Sequence, residues 1–212
     1  MFRNTILILN GDMPPVRILK KFCGRDSYII CADGGADRAK KAGITPDIII
    51  GDFDSVSKST LDYFSRRKII LLKIKEQETT DLEKSLMYII ANALNNVRIF
   101  GAYGNRPDHT LNNFSVLKRY SRVLDIRICD DNFEAYFIDK KTKFEYRKGQ
   151  TISLMPMPVA YGITTKGLMY PLKNEKLELG IREGTLNVST GKTVSVEFSK
   201  GDLLMFRKHF LR

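Results

Sequence analysis

From Thr5 to about Asp130, short runs of β-branched and aliphatic residues alternate with stretches in which apolar positions recur every three to four residues. The runs Thr5–Leu9, Ser27–Cys31, Asp47–Ile50, Lys68–Ile74, Val97–Phe100 and Leu124–Cys129 predict strands, and Ala36–Ala42, Leu82–Leu94 and Thr110–Tyr120 predict helices. Within several of these strands apolar residues occupy nearly every position, as in Ile48-Ile49-Ile50. Both faces must then be covered, which is the condition of a parallel sheet with helices on either side. In such a sheet, ligands bind beyond the carboxyl ends of the strands.

After Asp131 the texture changes. Phe133–Ile138, Lys143–Arg147, Thr151–Met155, Leu168–Leu172, Thr193–Phe198 and Asp202–Arg207 predict further strands, separated by Lys-Lys, Lys-Gly, Met-Pro and Ser-Lys-Gly turns with little helical periodicity. The expected organisation is an α/β unit over 1–131 followed by an all-β unit over 132–212, a sandwich or flattened barrel. At ~80 residues the second unit is small enough to gain stability by packing on the first or on another subunit.

Composition narrows the class without naming a chemistry. The 212 residues are 43% hydrophobic and 28% charged, ordinary for a soluble globular chain. No run approaches the ~20 apolar residues of a membrane span, and Met1–Asn10 reads as a first strand rather than a signal peptide. Three cysteines, Cys23, Cys31 and Cys129, are odd in number and set in apolar segments. They read as buried thiols of a reducing compartment, and the expected location is cytoplasmic. The net charge of +11 invites a nucleic-acid partner, but the basic residues are scattered and form no recognisable module, so neither nucleic acid nor membrane is expected.

The candidate chemistry lies at strand ends. Gly51-Asp52-Phe53-Asp54-Ser55 follows the apolar Ile48–Ile50, and two carboxylates one residue apart offer oxygen ligands to a hard cation such as Mg²⁺, a usual carrier of substrate phosphates. If the backbone stays extended there, both side chains share a face. Asp81, opening the Leu82–Leu94 pattern, suits either a third ligand or an acid complementing the helix dipole; Thr79, Thr80 and Asp81 are equivalent candidates for the cap. Asp33-Gly34-Gly35 reads as a turn needing φ > 0 or as a place where phosphate or ribose approaches bare backbone. Arg106 can grip phosphate as a planar fork, Asp108 can orient a hydroxyl or Arg106 itself, and His109 reads as a helix-start or packing residue. Gly191-Lys192-Thr193 imitates the end of a Walker A loop, but Leu186 stands where that motif needs Gly and a strand follows, so a hairpin turn is expected. With only His109 and His209 available, a Ser/His/Asp triad is unsupported.

Four segments together carry a resemblance. Ala32-Asp33-Gly34-Gly35-Ala36, Pro46-Asp47 with Gly51-Asp52-Phe53-Asp54-Ser55, Thr80-Asp81-Leu82-Glu83-Lys84 and Gly104-Asn105-Arg106-Pro107-Asp108-His109 resemble the thiamine pyrophosphokinase family in order and spacing. A weaker likeness continues through Gly167–Leu172 and Gly184–Asn187. The resemblance implies an α/β nucleotide-binding domain, a β-sandwich that binds thiamine, and a homodimer whose sites are shared between subunits. It implies diphosphoryl transfer from ATP to thiamine, with Mg²⁺ as cofactor. Asp52, Asp54 and Asp81 then look like the Mg²⁺ ligands, Gln77 and Arg106 like phosphate contacts, and Asp108 like a group facing the thiamine alcohol. Asp33, Gly34, Gly35 and Thr80 would line the nucleotide cleft, and Tyr170, Thr185 and Asn187 the thiamine site. Either Asp54 or Asp108 would accept the alcohol's proton. Two positions depart from the pattern: Tyr170 stands where a Trp is common, and Leu186 precedes Asn187 where Ser is common. The alternatives are a diphosphokinase for another hydroxymethyl heterocycle, such as a pterin, and a non-catalytic Mg-nucleotide-binding module.

Overall fold

The computed structural model describes residues 4–104 and 106–209, and the chain divides into two compact units, 1–131 and 132–212. Asn105 of the fourth motif lies outside the described residues.

In the first unit, β1 (Asn4–Ile8), β2 (Ser27–Ala32), β3 (Ile48–Gly51), β4 (Ile70–Lys73), β5 (Val97–Phe100) and β6 (Ile126–Cys129) pair in parallel in the order β4-β3-β2-β1-β5-β6. Ile6, Leu7 and Ile8 are all fully buried, as are Ile49 and Ile50, which accounts for the unbroken apolar runs. The helices are α1 (Val16–Phe22), α2 (Gly35–Ala42), α3 (Lys58–Ser65), α4 (Asp81–Ala91) and α5 (Pro107–Tyr120). The short α1 and α3 escape the sequence pattern because each carries barely two turns, with one or two buried residues. Strand order reverses between β1 and β5, so the loops after those strands diverge and leave a crevice. Gly35 lets α2 start against that crevice: a Cβ there would lie 2.1 Å from the Ile8 carbonyl oxygen.

The second unit contains β7 (Phe133–Phe137), β8 (Lys141–Glu145), β9 (Thr151–Lys166), β10 (Glu175–Glu178), β11 (Gly184–Val188), β12 (Thr193–Glu197) and β13 (Lys200–Lys208). All its pairings are antiparallel, and β9 runs through both sheets around a core that includes Ile152, Leu154, Ile163, Val194, Val196 and Met205. β9 extends eleven residues beyond the Met155 end expected from sequence. Pro156 and Pro158 do not stop it, because its register with β13 shifts across that stretch and so spares the missing N–H groups. Leu168–Leu172 is not a strand: Leu168 forms one bridge to Ser189, and Tyr170 pairs with a side chain instead of a ladder. Gly191 and Lys192 do sit in a bend, but β11 and β12 do not pair with each other, so the bend is no hairpin.

Candidate active site

The acidic segment is shaped by two backbone kinks. Phe53 has φ +67°, so the chain turns between Asp52 and Asp54 rather than staying extended. The two carboxylates converge through that turn: Asp52 Oδ1 accepts the Asp54 N–H at 3.1 Å, and Asp54 Oδ1 accepts the Ser55 hydroxyl at 2.8 Å. At the end of β2, Asp33 itself takes the positive φ (+42°) that the Asp33-Gly34-Gly35 turn was expected to need. Its carboxylate reaches across to the loop after β3 and accepts the N–H groups of Ser55 at 3.1 Å and Val56 at 3.2 Å. Gly51 makes this approach possible, since a Cβ there would stand 2.8 Å from the Asp33 Cβ.

Asp33, Asp52 and Asp54 consequently present carboxylate oxygens within 4.8 Å of one another. Sequence placed Asp81 in that set and Asp33 in the nucleotide cleft. The structure draws in Asp33, while Asp81, at the first turn of α4, faces Lys84 with Oδ1 3.6 Å from Nζ. The electrostatics match a site built for positive charge. Burial, with help from Asp54 and Asp81, pushes Asp33 up to about 6. Burial also raises Asp81, the nearby Asp52 and Asp54 adding to it and Lys84 opposing. The Asp54 N–H, then the Gln77 amide at 2.8 Å, hold Asp52 below its ordinary value.

Thr80 caps α4: its hydroxyl accepts the Glu83 N–H while the Glu83 carboxylate accepts the Thr80 N–H, both at 3.3 Å. Of the three cap candidates, Thr80 is the one used. Arg106 and Asp108 form a two-point pair, Nε to Oδ1 at 3.0 Å and Nη2 to Oδ2 at 2.7 Å, that holds Asp108 well below the usual carboxylate range. Both side chains are largely exposed, so the guanidinium can exchange this partner for a ligand. His109 does stand at the start of α5, but it is exposed and lines the cavity rather than packing.

Asp33, Gly34, Asp52, Asp54, Gln77, Thr80, Asp81 and Arg106 line an open cavity of about 520 Å³ in the crevice beyond β1, β2 and β5, whereas Gly35 and Asp108 are not among its lining residues. Asn10, Arg38, Lys84, Tyr103 and Asn113 also line it and were not singled out from sequence. Arg38 donates to the Asn10 carbonyl at 3.0 Å, tying α2 to the loop after β1. Only Lys84 carried a signal, its place in the Thr80–Lys84 motif. Gly34 lies against the Asn10 amide, which a Cβ would meet at 2.4 Å.

Tyr170, Thr185 and Asn187 belong to the second unit. Tyr170 and Thr185 are exposed, whereas Asn187 is buried and its amide is committed to backbone. It accepts the Tyr170 N–H at 3.1 Å and donates to the Tyr170 carbonyl at 2.7 Å, so it holds the Tyr170 segment in place instead of standing free for a ligand.

Two family models match this chain: the thiamin pyrophosphokinase catalytic domain over residues 19–129 and the thiamin pyrophosphokinase vitamin B1 binding domain over residues 137–203. The chain belongs to the thiamin pyrophosphokinase family. A family member from Bacillus subtilis (strain 168), a thiamine pyrophosphokinase, is 29% identical over 216 residues, covering 95% of this chain and 96% of its own. Thiamine pyrophosphokinase 1 of Arabidopsis thaliana is 29% identical over 230 residues, 95% of this chain and 85% of its own. Among solved structures, the thiamine pyrophosphokinase from Bacillus subtilis superposes with a TM-score of 0.85 at 26% identity over 96% of this chain and 98% of that one. The thiamin pyrophosphokinase from Candida albicans shares the fold with a TM-score of 0.85 at 20% identity, over 98% and 89%.

Proposed function

We infer that this protein is a thiamine diphosphokinase that transfers a diphosphoryl group from ATP to the hydroxyethyl arm of thiamine, releasing AMP and thiamine diphosphate. The observation that carries the reading is the convergence of Asp33, Asp52 and Asp54 beside the switch-point cavity in a chain that matches both domains of the family.

An all-carboxylate donor set suits a hard divalent cation such as Mg²⁺. Asp52 and Asp54, with Asp33 or Asp81 beside them, would hold it. Bound there, Mg²⁺ supplies charge neutralisation to the phosphate chain. The alcohol attacks the β-phosphorus, the bond from that phosphorus to the oxygen bridging to the α-phosphate breaks, and its electrons leave with AMP. The protein's part is positioning and electrostatics rather than covalent catalysis. Gln77 orients Asp52, and Arg106 turns from Asp108 to a phosphate oxygen. Asp108, freed by that turn, or Asp54 receives the alcohol's proton. Gly34, Gly35 and Thr80 shape the nucleotide cleft around the backbone. Tyr170 offers an aromatic face to the thiamine ring, Thr185 adds a polar contact, and Asn187 fixes Tyr170.

We further propose a homodimer in which each site joins one subunit's first unit to its partner's second. Cys31 and Cys129 are buried and Cys23 is half-buried, which supports a reducing, cytoplasmic setting. The test is AMP release from ATP with thiamine, a hydroxymethyl pterin or no acceptor. Thiamine-dependent release is expected. Release that depends on the pterin instead would move the acceptor, and nucleotide binding without turnover would overturn the enzymatic reading.

A further inference from the structure

Lys84, in the second turn of α4, is 5% exposed, and it is the only buried Lys or Arg among the described residues. Taking an ammonium out of water is costly unless it is paired and hydrogen-bonded. Here the pairing is incomplete. Among the described residues, the carboxylate oxygen within ion-pair reach is Asp81 Oδ1 at 3.6 Å, longer than the roughly 2.7–2.9 Å of a charge-assisted hydrogen bond. A lysine carries three N–H donors, so at least two have no carboxylate to receive them. The side chain lines the cavity beside the acidic cluster, and its charge reaches Asp52 as well as Asp81. The capping box around Thr80 and Glu83 fixes the helical turn from which it projects.

We propose that Lys84 is a catalytic residue whose ammonium donates to the non-bridging oxygens of the nucleotide's β- and γ-phosphates; this rests on the diphosphokinase reading. A counter-ion for Asp81 alone would need neither burial nor free donors, and a mobile surface lysine would serve. A cation set rigidly beside clustered carboxylates instead suits an anion that arrives with its own divalent metal: the carboxylates take the metal, and the ammonium takes the remaining phosphate charge. The alcohol's proton goes to a carboxylate and then to water, and the negative charge developing on the transferred group is met by hydrogen bonds already in place.

The test compares Lys84→Met, Lys84→Arg and the wild-type chain in calorimetric titrations with Mg·ATP and with AMP, which lacks the β- and γ-phosphates. Lys84→Met should weaken Mg·ATP at least tenfold and AMP less than twofold, with an unchanged or raised melting temperature. Lys84→Arg should recover most of the ATP affinity. Equal loss for both nucleotides, or an unchanged ratio with tighter binding of Mg²⁺ alone, would overturn the proposal and leave Lys84 a counter-ion. Should Lys84→Met fail to fold, Lys84→Gln is read by the same ratio. Wild-type binding of Mg·ATP without thiamine-dependent AMP release would sink the diphosphokinase reading instead, and the affinity ratio would still report on Lys84.

Discussion

Asp52 and Asp54 stand one residue apart, yet what joins them is the left-handed Phe53 between them rather than the alternation of a strand. Each is held by different donors: Asp52 by the Asp54 N–H and Gln77, Asp54 by the Ser55 hydroxyl. Asp54→Asn deletes one negative oxygen without changing volume much, and turnover should fall at least a few hundredfold, the scale of a positioned electrostatic group of ~3 kcal/mol. The melting temperature should stay near wild type. Near-normal activity at saturating Mg²⁺ would remove Asp54 from the metal set. Asp33 adds a pH dependence. Because burial lifts it to about 6, it holds a proton below that value and releases it above, so a cation and a proton compete for the site in acid. Mg²⁺ affinity of the nucleotide-free protein should therefore rise about tenfold from pH 5 to pH 7 and then level off. A flat titration series across that range would show that Asp33 takes no part.

At the scale of elements, the ends of β2 and β3 are one construction. Asp33 binds the backbone of Ser55 and Val56, and the bare Gly51 lets the two chains touch. In the second unit, the buried Asn187 on β11 plays a comparable part for Tyr170, replacing the strand pairing that the Leu168–Leu172 pattern predicts. If Tyr170 is the aromatic wall for thiamine, Asn187→Ala and Tyr170→Ala should each raise the KM for thiamine more than that for ATP, and the double variant should do little more than Tyr170→Ala alone. Such non-additivity is expected of residues acting through one another. Fully additive effects would give Asn187 a separate role.

At the scale of the molecule, two compact units each have their own core, and the second is small for an independent domain. The proposed shared-site dimer makes an arithmetical prediction. Mixing inactive Asp54→Asn subunits with strongly impaired Tyr170→Ala subunits yields heterodimers in which one site has both defects and the other has neither. Random re-association of equal amounts makes about half the dimers mixed, so about a quarter of all sites should recover. Activity that stays at the level of the separate variants, with subunit exchange verified, would require each subunit to hold a complete site.

What the sequence determined by itself is what a short window can encode. The unbroken apolar runs dictated strands buried on both faces, the acidic turn after Ile48–Ile50 dictated where carboxylates gather, and Thr79, Thr80 and Asp81 bracketed the start of α4, the structure choosing Thr80 as the cap. Joins between distant segments were decided only in three dimensions. Asp33 and Ser55 are 22 residues apart and meet because β2 lies beside β3. Lys84 closes the Thr80–Lys84 motif, yet nothing along the chain shows that it is buried until α4 sets it against the cavity. β9 crosses two prolines that end a strand by local rules, because its partner shifts register to accommodate them. Periodicity acts through neighbours along the chain, whereas convergence depends on strand order and on which groups the folded interior leaves without water.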